Sequence, residues 1–188
     1  MKKIIFLIIT LCLLAKPSYI FAQEPSLVMT VSPTPSVTSP IVAVDYTLPY
    51  PGILADNPLY PLKILRDNII GWLINDPLKK ANFDLLQSDK RLQIGTYLIK
   101  QDKTKAPLAI STISKGENYL TDSVNKAQQA TKQGEATTDI LRTLHTAILK
   151  HEQVMQMLEI QVSSSQKNAL NMLYIHDLQL DKQLLAIK

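Results

Sequence analysis

The chain has 188 residues, 46% apolar and 19% charged, enough for one ordinary domain with extensions and too rich in core-forming side chains for wholesale disorder. Its formal charge of +4 owes most to the N-terminus: Lys2, Lys3 and Lys16 precede Gln23 with no acid among them, and without those three, 17 basic side chains face 16 acidic ones. A nucleic-acid binder needs a clustered phosphate-facing excess, so that class is excluded.

Residues 1–22 have the three parts of a secretory signal. Met1-Lys2-Lys3 is the charged start, Ile4 to Ala15 the apolar core, and Ile20-Phe21-Ala22 places a small residue at a cut before Gln23. Lys16 and Pro17 stop the apolar run well short of the roughly 20 residues a membrane-spanning helix needs. Cleavage is therefore expected, with an uncleaved anchor as the alternative. The single cysteine, Cys12, lies inside this leader and lacks the small preceding residue of a lipidation signal. A mature chain cut there has no disulfide, no thiolate nucleophile and no Cys-ligated zinc. The location implied is extracytoplasmic: secreted, periplasmic or cell-surface.

Residues 23–45 carry Pro25, Pro33, Pro35 and Pro40 among serines and threonines, a composition that removes backbone donors and predicts an extended, solvated tether. The domain proper spans 46–188. Its first stretch, Tyr46 to Leu54, sets aromatic and aliphatic side chains between prolines and is expected to lie extended across the helices. Asp56-Asn57-Pro58 and Asp76-Pro77 are two cap-plus-proline helix starts. The first opens a helix over 58–74, whose Leu62, Leu65, Ile69 and Trp72 predict one buried stripe. The second opens a helix in which Leu78, Leu85, Leu92 and Ile99 recur at seven, with Ala81, Ser88 and Gly95 between them, a pattern suited to close helix packing.

Polar residues 101–105 make a loop. A third helix is predicted over 106–131, carried by Ile110, Ile113, Leu120, Val124 and Ala127, and Gly134 breaks it. A fourth spans 135–162 through Leu141, Leu144, Ile148, Met155 and Leu158, and Ser163 to Gln166 reads as a turn with a capping box. The fifth runs to about Ile187 through Leu170, Leu173, Leu180 and Leu184. No segment alternates as a strand does. The fold class expected is all-α, an antiparallel bundle of about five helices behind a signal peptide and a Pro/Ser/Thr-rich extended segment.

The run Asp56-Asn-Pro-Leu-Tyr-Pro-Leu-Lys63, then Asp76-Pro77, Leu85 and Lys90-Arg91-Leu92, and later Lys150-His151-Glu-Gln-Val154, resembles the bacterial domain of unknown function 5667 from about Tyr46 to Leu185. Where that family usually has a proline in the last hairpin, this chain has Ser163-Ser164-Ser165. The resemblance implies a helical extracytoplasmic domain in exported or membrane-tethered proteins, some beside anti-sigma-type regulators. It brings no catalytic residue.

Chemistry is sparse. There is no Gly-x-Ser-x-Gly turn, and Lys115-Gly116 lacks both the preceding glycine and the hydroxyl residue of a phosphate loop. Asp177 and Asp181 read as a solvated polar edge; Trp72, Tyr60, Tyr50 and Tyr97 as core or cap rather than a cleft; Arg66, Lys90 and Arg91 as solvated faces. No catalytic residue, cofactor or metal centre is assigned. The nearest thing to one is a soft set for Cu(I): His151 and Met155 on the fourth helix, Met172 and His176 on the fifth, brought level if the hairpin turns at Ser163-Ser164. Against it, Met172 and His176 fall on the flank of the core stripe. The reading is a non-enzymatic envelope domain that binds, scaffolds or senses through an unidentified protein or envelope component, meeting the membrane only through an uncleaved leader. The alternative is an exported bundle binding a small ligand or soft metal.

Overall fold

A computed structural model describes residues 43–187; the expected signal peptide and most of the tether lie outside them. Among the described residues there are five α-helices and no strand: α1 Tyr60–Leu73, α2 Pro77–Gln101, α3 Ala106–Lys132, α4 Thr138–Glu159 and α5 Ser164–Leu185, with a 3₁₀ turn at Lys103–Lys105. The fold class is all-α. No described helix is long and apolar enough to cross a membrane.

Local signals set most of the boundaries. Asp76 accepts from the Lys79 backbone N–H at 2.9 Å and Pro77 opens α2. Gly134 ends the turn after α3 with φ of 81°, a backbone that suits glycine. Before α5, the Ser163 backbone N–H donates to Gln166 Oε1 at 3.0 Å, the reciprocal arm of a capping box. At the first helix the signal works differently. Asn57 Oδ1 accepts from the Leu59 N–H in a tight turn, so α1 begins at Tyr60 instead of Pro58.

α2 and α3 make the most extensive contact. Their facing positions run in reverse order: Gly95 against Ala109 and Ile113, Ser88 and Arg91 against Gly116, and Ala81, whose carbonyl accepts from Ser123 Oγ at 2.6 Å. Gly95, Ser88 and Ala81 meet Ala109, Gly116 and Ser123, so small residues at heptad spacing line both sides and the backbones approach closely. α4 and α5 also run opposite ways, with His145 beside Asp181. α3 and α5 meet in the same direction, Thr121 near His176 and Asn125 near Gln183.

Buried apolar side chains form two clusters. One holds the beginnings of α2 and α4 and the ends of α3 and α5, including Leu85, Leu120, Leu144, Ile148 and Leu180. The other holds the opposite ends, including Leu92, Ile99, Ile113, Met155 and Leu170. The extended segment before α1 spans both, Tyr46 packing on the first, Leu48 and Leu54 on the second.

The expected orientation of α1 is reversed. Leu62, Leu65, Ile69 and Trp72 point to solvent, and Trp72 is 81% exposed. The residues turned inward are Lys63, Asp67 and Gly71. Within the helix Asp67 pairs with Lys63 at 3.4 Å and Arg66 at 2.6 Å, while Gly71 against the Phe83 ring and Asn68 accepting from the Tyr119 hydroxyl seat α1 on its neighbours.

Candidate functional site

Between the two apolar clusters four buried ionisable side chains stand level, Asp89 from α2, Glu117 from α3, His151 from α4 and Asp177 from α5, none more than 3% exposed; α2 also buries Asp84 and Arg91. Each occupies a position that its helix's apolar spacing reserves for the core. Asp89 stands between Leu85 and Leu92, Glu117 between Ile113 and Leu120, His151 between Ile148 and Met155, and Asp177 between Leu170 and Leu180. Burying a charge is costly unless a partner is supplied, so this layer is where the core's chemistry concentrates.

His151 is its centre. One ring nitrogen, Nδ1, lies 3.0 Å from Glu117 Oε1 and the other, Nε2, 3.0 Å from Asp89 Oδ1. Asp89 Oδ2 in turn accepts from the Tyr46 hydroxyl at 2.6 Å, so the extended segment reaches into the layer from outside the bundle. On the far side His176 Nδ1 is 3.4 Å from Asp177 Oδ1, and His176 Nε2 is 3.2 Å from Thr121 Oγ1. Two carboxyl oxygens of the layer, Glu117 Oε2 and Asp177 Oδ2, are buried with no donor group facing them, and the two carboxyls are near enough to share a proton.

These surroundings move the protons. Burial alone would depress the His151 pKa, but the Glu117 and Asp89 carboxylates outweigh it and hold the imidazole up to about 10. Burial, then the neighbouring Glu117 carboxylate, pushes Asp177 up to about 8. His176 is raised mainly by its bond to Asp177. Burial and the Asp89 carboxylate push the Tyr46 hydroxyl upward, so it stays a donor. As a chemical object the layer is three carboxyls around one imidazole. Glu117, His151 and Asp177 each offer a ligand atom within 4.8 Å of the others.

The soft set read from the sequence is not brought together. His151 stands among carboxylates, Met155 lies in the second apolar cluster, Met172 is 71% exposed and His176 sits at the layer's edge. The hairpin register is close to that expected, since His145 Nδ1 meets Asp181 Oδ1 at 2.6 Å. Asp177 is fully buried, and the solvated-edge reading holds only for its neighbour Asp181, a partly exposed partner of His145. Trp72, Tyr50 and Tyr97 are exposed, and Arg91 is buried with its guanidinium 4.1 Å from the Tyr119 ring centre. The signal for the layer was present in the sequence: a polar residue in each helix's apolar stripe.

The second feature with chemical meaning is the outer face of α1. Leu59, Leu62, Leu65, Ile69, Ile70, Trp72 and Leu73 are all exposed, and Asp67, the only acid on the helix, is turned inward. A contiguous apolar face of this kind marks a contact surface.

No family model matches the chain, and neither a curated protein nor a solved structure matches it.

Proposed function

We propose that the chain is a non-enzymatic domain exported across the cytoplasmic membrane and held at the cell envelope, where the outer face of α1 is its contact surface. In this reading residues 1–22 are the signal peptide, 23–45 the tether and 46–188 an antiparallel bundle of about five helices. The observation that carries it is the reversed α1, with its leucines, isoleucines and Trp72 outward and its acid inward. The occupant that fits is the lipid headgroup–acyl boundary. A short amphipathic helix with an aromatic residue, an exposed Arg66 and no exposed acid suits an anionic membrane surface, and the leader delivers the chain beside one. The likeness to the domain of unknown function 5667 supports the same placement, with a scaffold or sensory role among the possibilities it implies.

Trp72 is the chain's single tryptophan, so the test has a built-in reporter. Added anionic vesicles should blue-shift its emission and co-sediment the mature chain, and a Leu65→Ser, Ile69→Ser double variant should lose both. If the emission stays put with vesicles while the chain self-associates or docks on an envelope protein through the same face, the lipid assignment is wrong. If none of these engages α1, the contact-surface reading falls.

A further inference from the structure

We propose that Glu117, His151 and Asp177 form a binding site for a first-row divalent transition-metal ion within the bundle's polar layer. Acidic residues close together do not make a site, and two further observations carry this one. The first is that Glu117 Oε2 and Asp177 Oδ2, on residues at most 2% exposed, are buried with no donor group facing them and have only a proton shared between the two carboxyls to join them. Two such atoms on separate helices beside one imidazole are costly to a core unless something positive joins them.

The second is the support behind the imidazole. Nε2 faces Asp89 Oδ1 at 3.0 Å and donates its hydrogen there, while Asp89 Oδ2 is fixed by the Tyr46 hydroxyl at 2.6 Å. Both ring nitrogens face carboxylates and carry hydrogens, so release of the one on Nδ1, on the Glu117 side, is what frees that nitrogen as the ligand atom. A carboxylate behind the non-coordinating nitrogen is the outer arrangement metal-bound histidines usually have. The Tyr46–Asp89–His151 chain therefore points the imidazole at the space shared by Glu117 and Asp177.

Donor chemistry selects the class of ion. One imidazole nitrogen and two carboxylate oxygens suit zinc, iron(II), manganese or cobalt, and they lack the thioether sulfur that favours Cu(I). Nδ1 and Glu117 Oε1 are already 3.0 Å apart, near the about 3.4 Å between ligands of a tetrahedral ion with bonds of about 2.1 Å, and the Asp177 ligand atom lies within 4.8 Å of both. On loading, the ion takes the place of any proton on His151 Nδ1 and on the two carboxyls, and each released proton passes to solvent.

The test uses the full chain, unfolded in chelator and refolded with Co²⁺, Zn²⁺ or Mn²⁺ alone, because a site this buried fills most readily as the protein folds. The expected result is about one ion per chain, visible Co²⁺ absorption bands, and a melting temperature raised by about 5 °C or more with at least one ion. Glu117→Gln and Asp177→Asn, which keep shape and remove charge, should each abolish the bands while circular dichroism remains helical. Asp89→Asn should weaken binding about 10-fold without abolishing it. His145→Ala, which removes a separate histidine–carboxylate pair, should leave binding unchanged. A folded wild-type chain with no bands and no melting shift overturns the proposal, as does binding that survives Glu117→Gln together with Asp177→Asn.

Discussion

The cost of each buried residue in the layer depends on how its partners share protons, and that makes the core sensitive to pH. His151 has its ordinary value of 6.5 raised to about 10, so its contribution to stability is complete below about 6.5 and is lost as pH rises through 10. Asp177 is raised from 3.8 to about 8, so the folded state favours its neutral form. That advantage is complete below about 3.8 and disappears as pH rises through 8. The two effects have the same sign. In chelator, the melting temperature should fall steadily from about pH 5 to about pH 9. A flat or rising profile would show that these groups are not held as described. Tyr46 tests the outer arm. Tyr46→Phe removes the donor to Asp89 while keeping the ring on the first apolar cluster, and it should cost about 1–2 kcal/mol in urea unfolding. No change would mean that water serves Asp89 equally well.

At the scale of the helix, the small residues of α2 and α3 set how close the two backbones come. A Cβ at Gly95 would lie 2.7 Å from Ile113 Cδ1 and 3.0 Å from the Ala109 carbonyl oxygen, and Ile113 is itself fully buried. Gly95→Ala gains about 1 kcal/mol in helix propensity but overpacks this contact by about 1–3 kcal/mol. The net expected effect is a destabilisation of up to about 2 kcal/mol, measured as a lower urea midpoint with unchanged slope. Stabilisation would mean that the helices can slide apart at little cost. Much of this level was legible in the sequence. Heptad leucines, the Asp76 and Ser163 caps and the small residues of α2 act over a few positions, so local spacing reveals them. For the polar layer the sequence shows a polar residue in each stripe but not their meeting, because Asp89, Glu117, His151 and Asp177 are separated by whole helices and only the packing of four stripes brings them level. The apolar spacing of α1 was read correctly as one face of a helix. Periodicity defines such a face without saying which side of it the protein occupies, and here Lys63, Asp67 and Gly71 take the inner side.

For the molecule as a whole, stability should be unevenly divided. The two apolar clusters and the layer between them tie α2, α3, α4 and α5 together, whereas α1 is held chiefly through Tyr60 on the second cluster, the Gly71–Phe83 approach and a 3.2 Å hydrogen bond from Tyr119 to Asn68. So few contacts near a surface contribute little, about 1 kcal/mol for a hydrogen bond, so α1 can open without unfolding the rest. Hydrogen exchange should resolve this. Amides of α1 should exchange through a local opening, while those at the α2–α3 contact exchange only on global unfolding. The same experiment joins stability to the proposed role, because a helix that beds its outer face in lipid gains contacts that the bare chain lacks. Anionic vesicles should slow exchange in α1 selectively and leave the α2–α3 amides unchanged. Uniform slowing throughout the chain, or none in α1, would mean that the exposed leucines and Trp72 are not where the protein meets its surroundings.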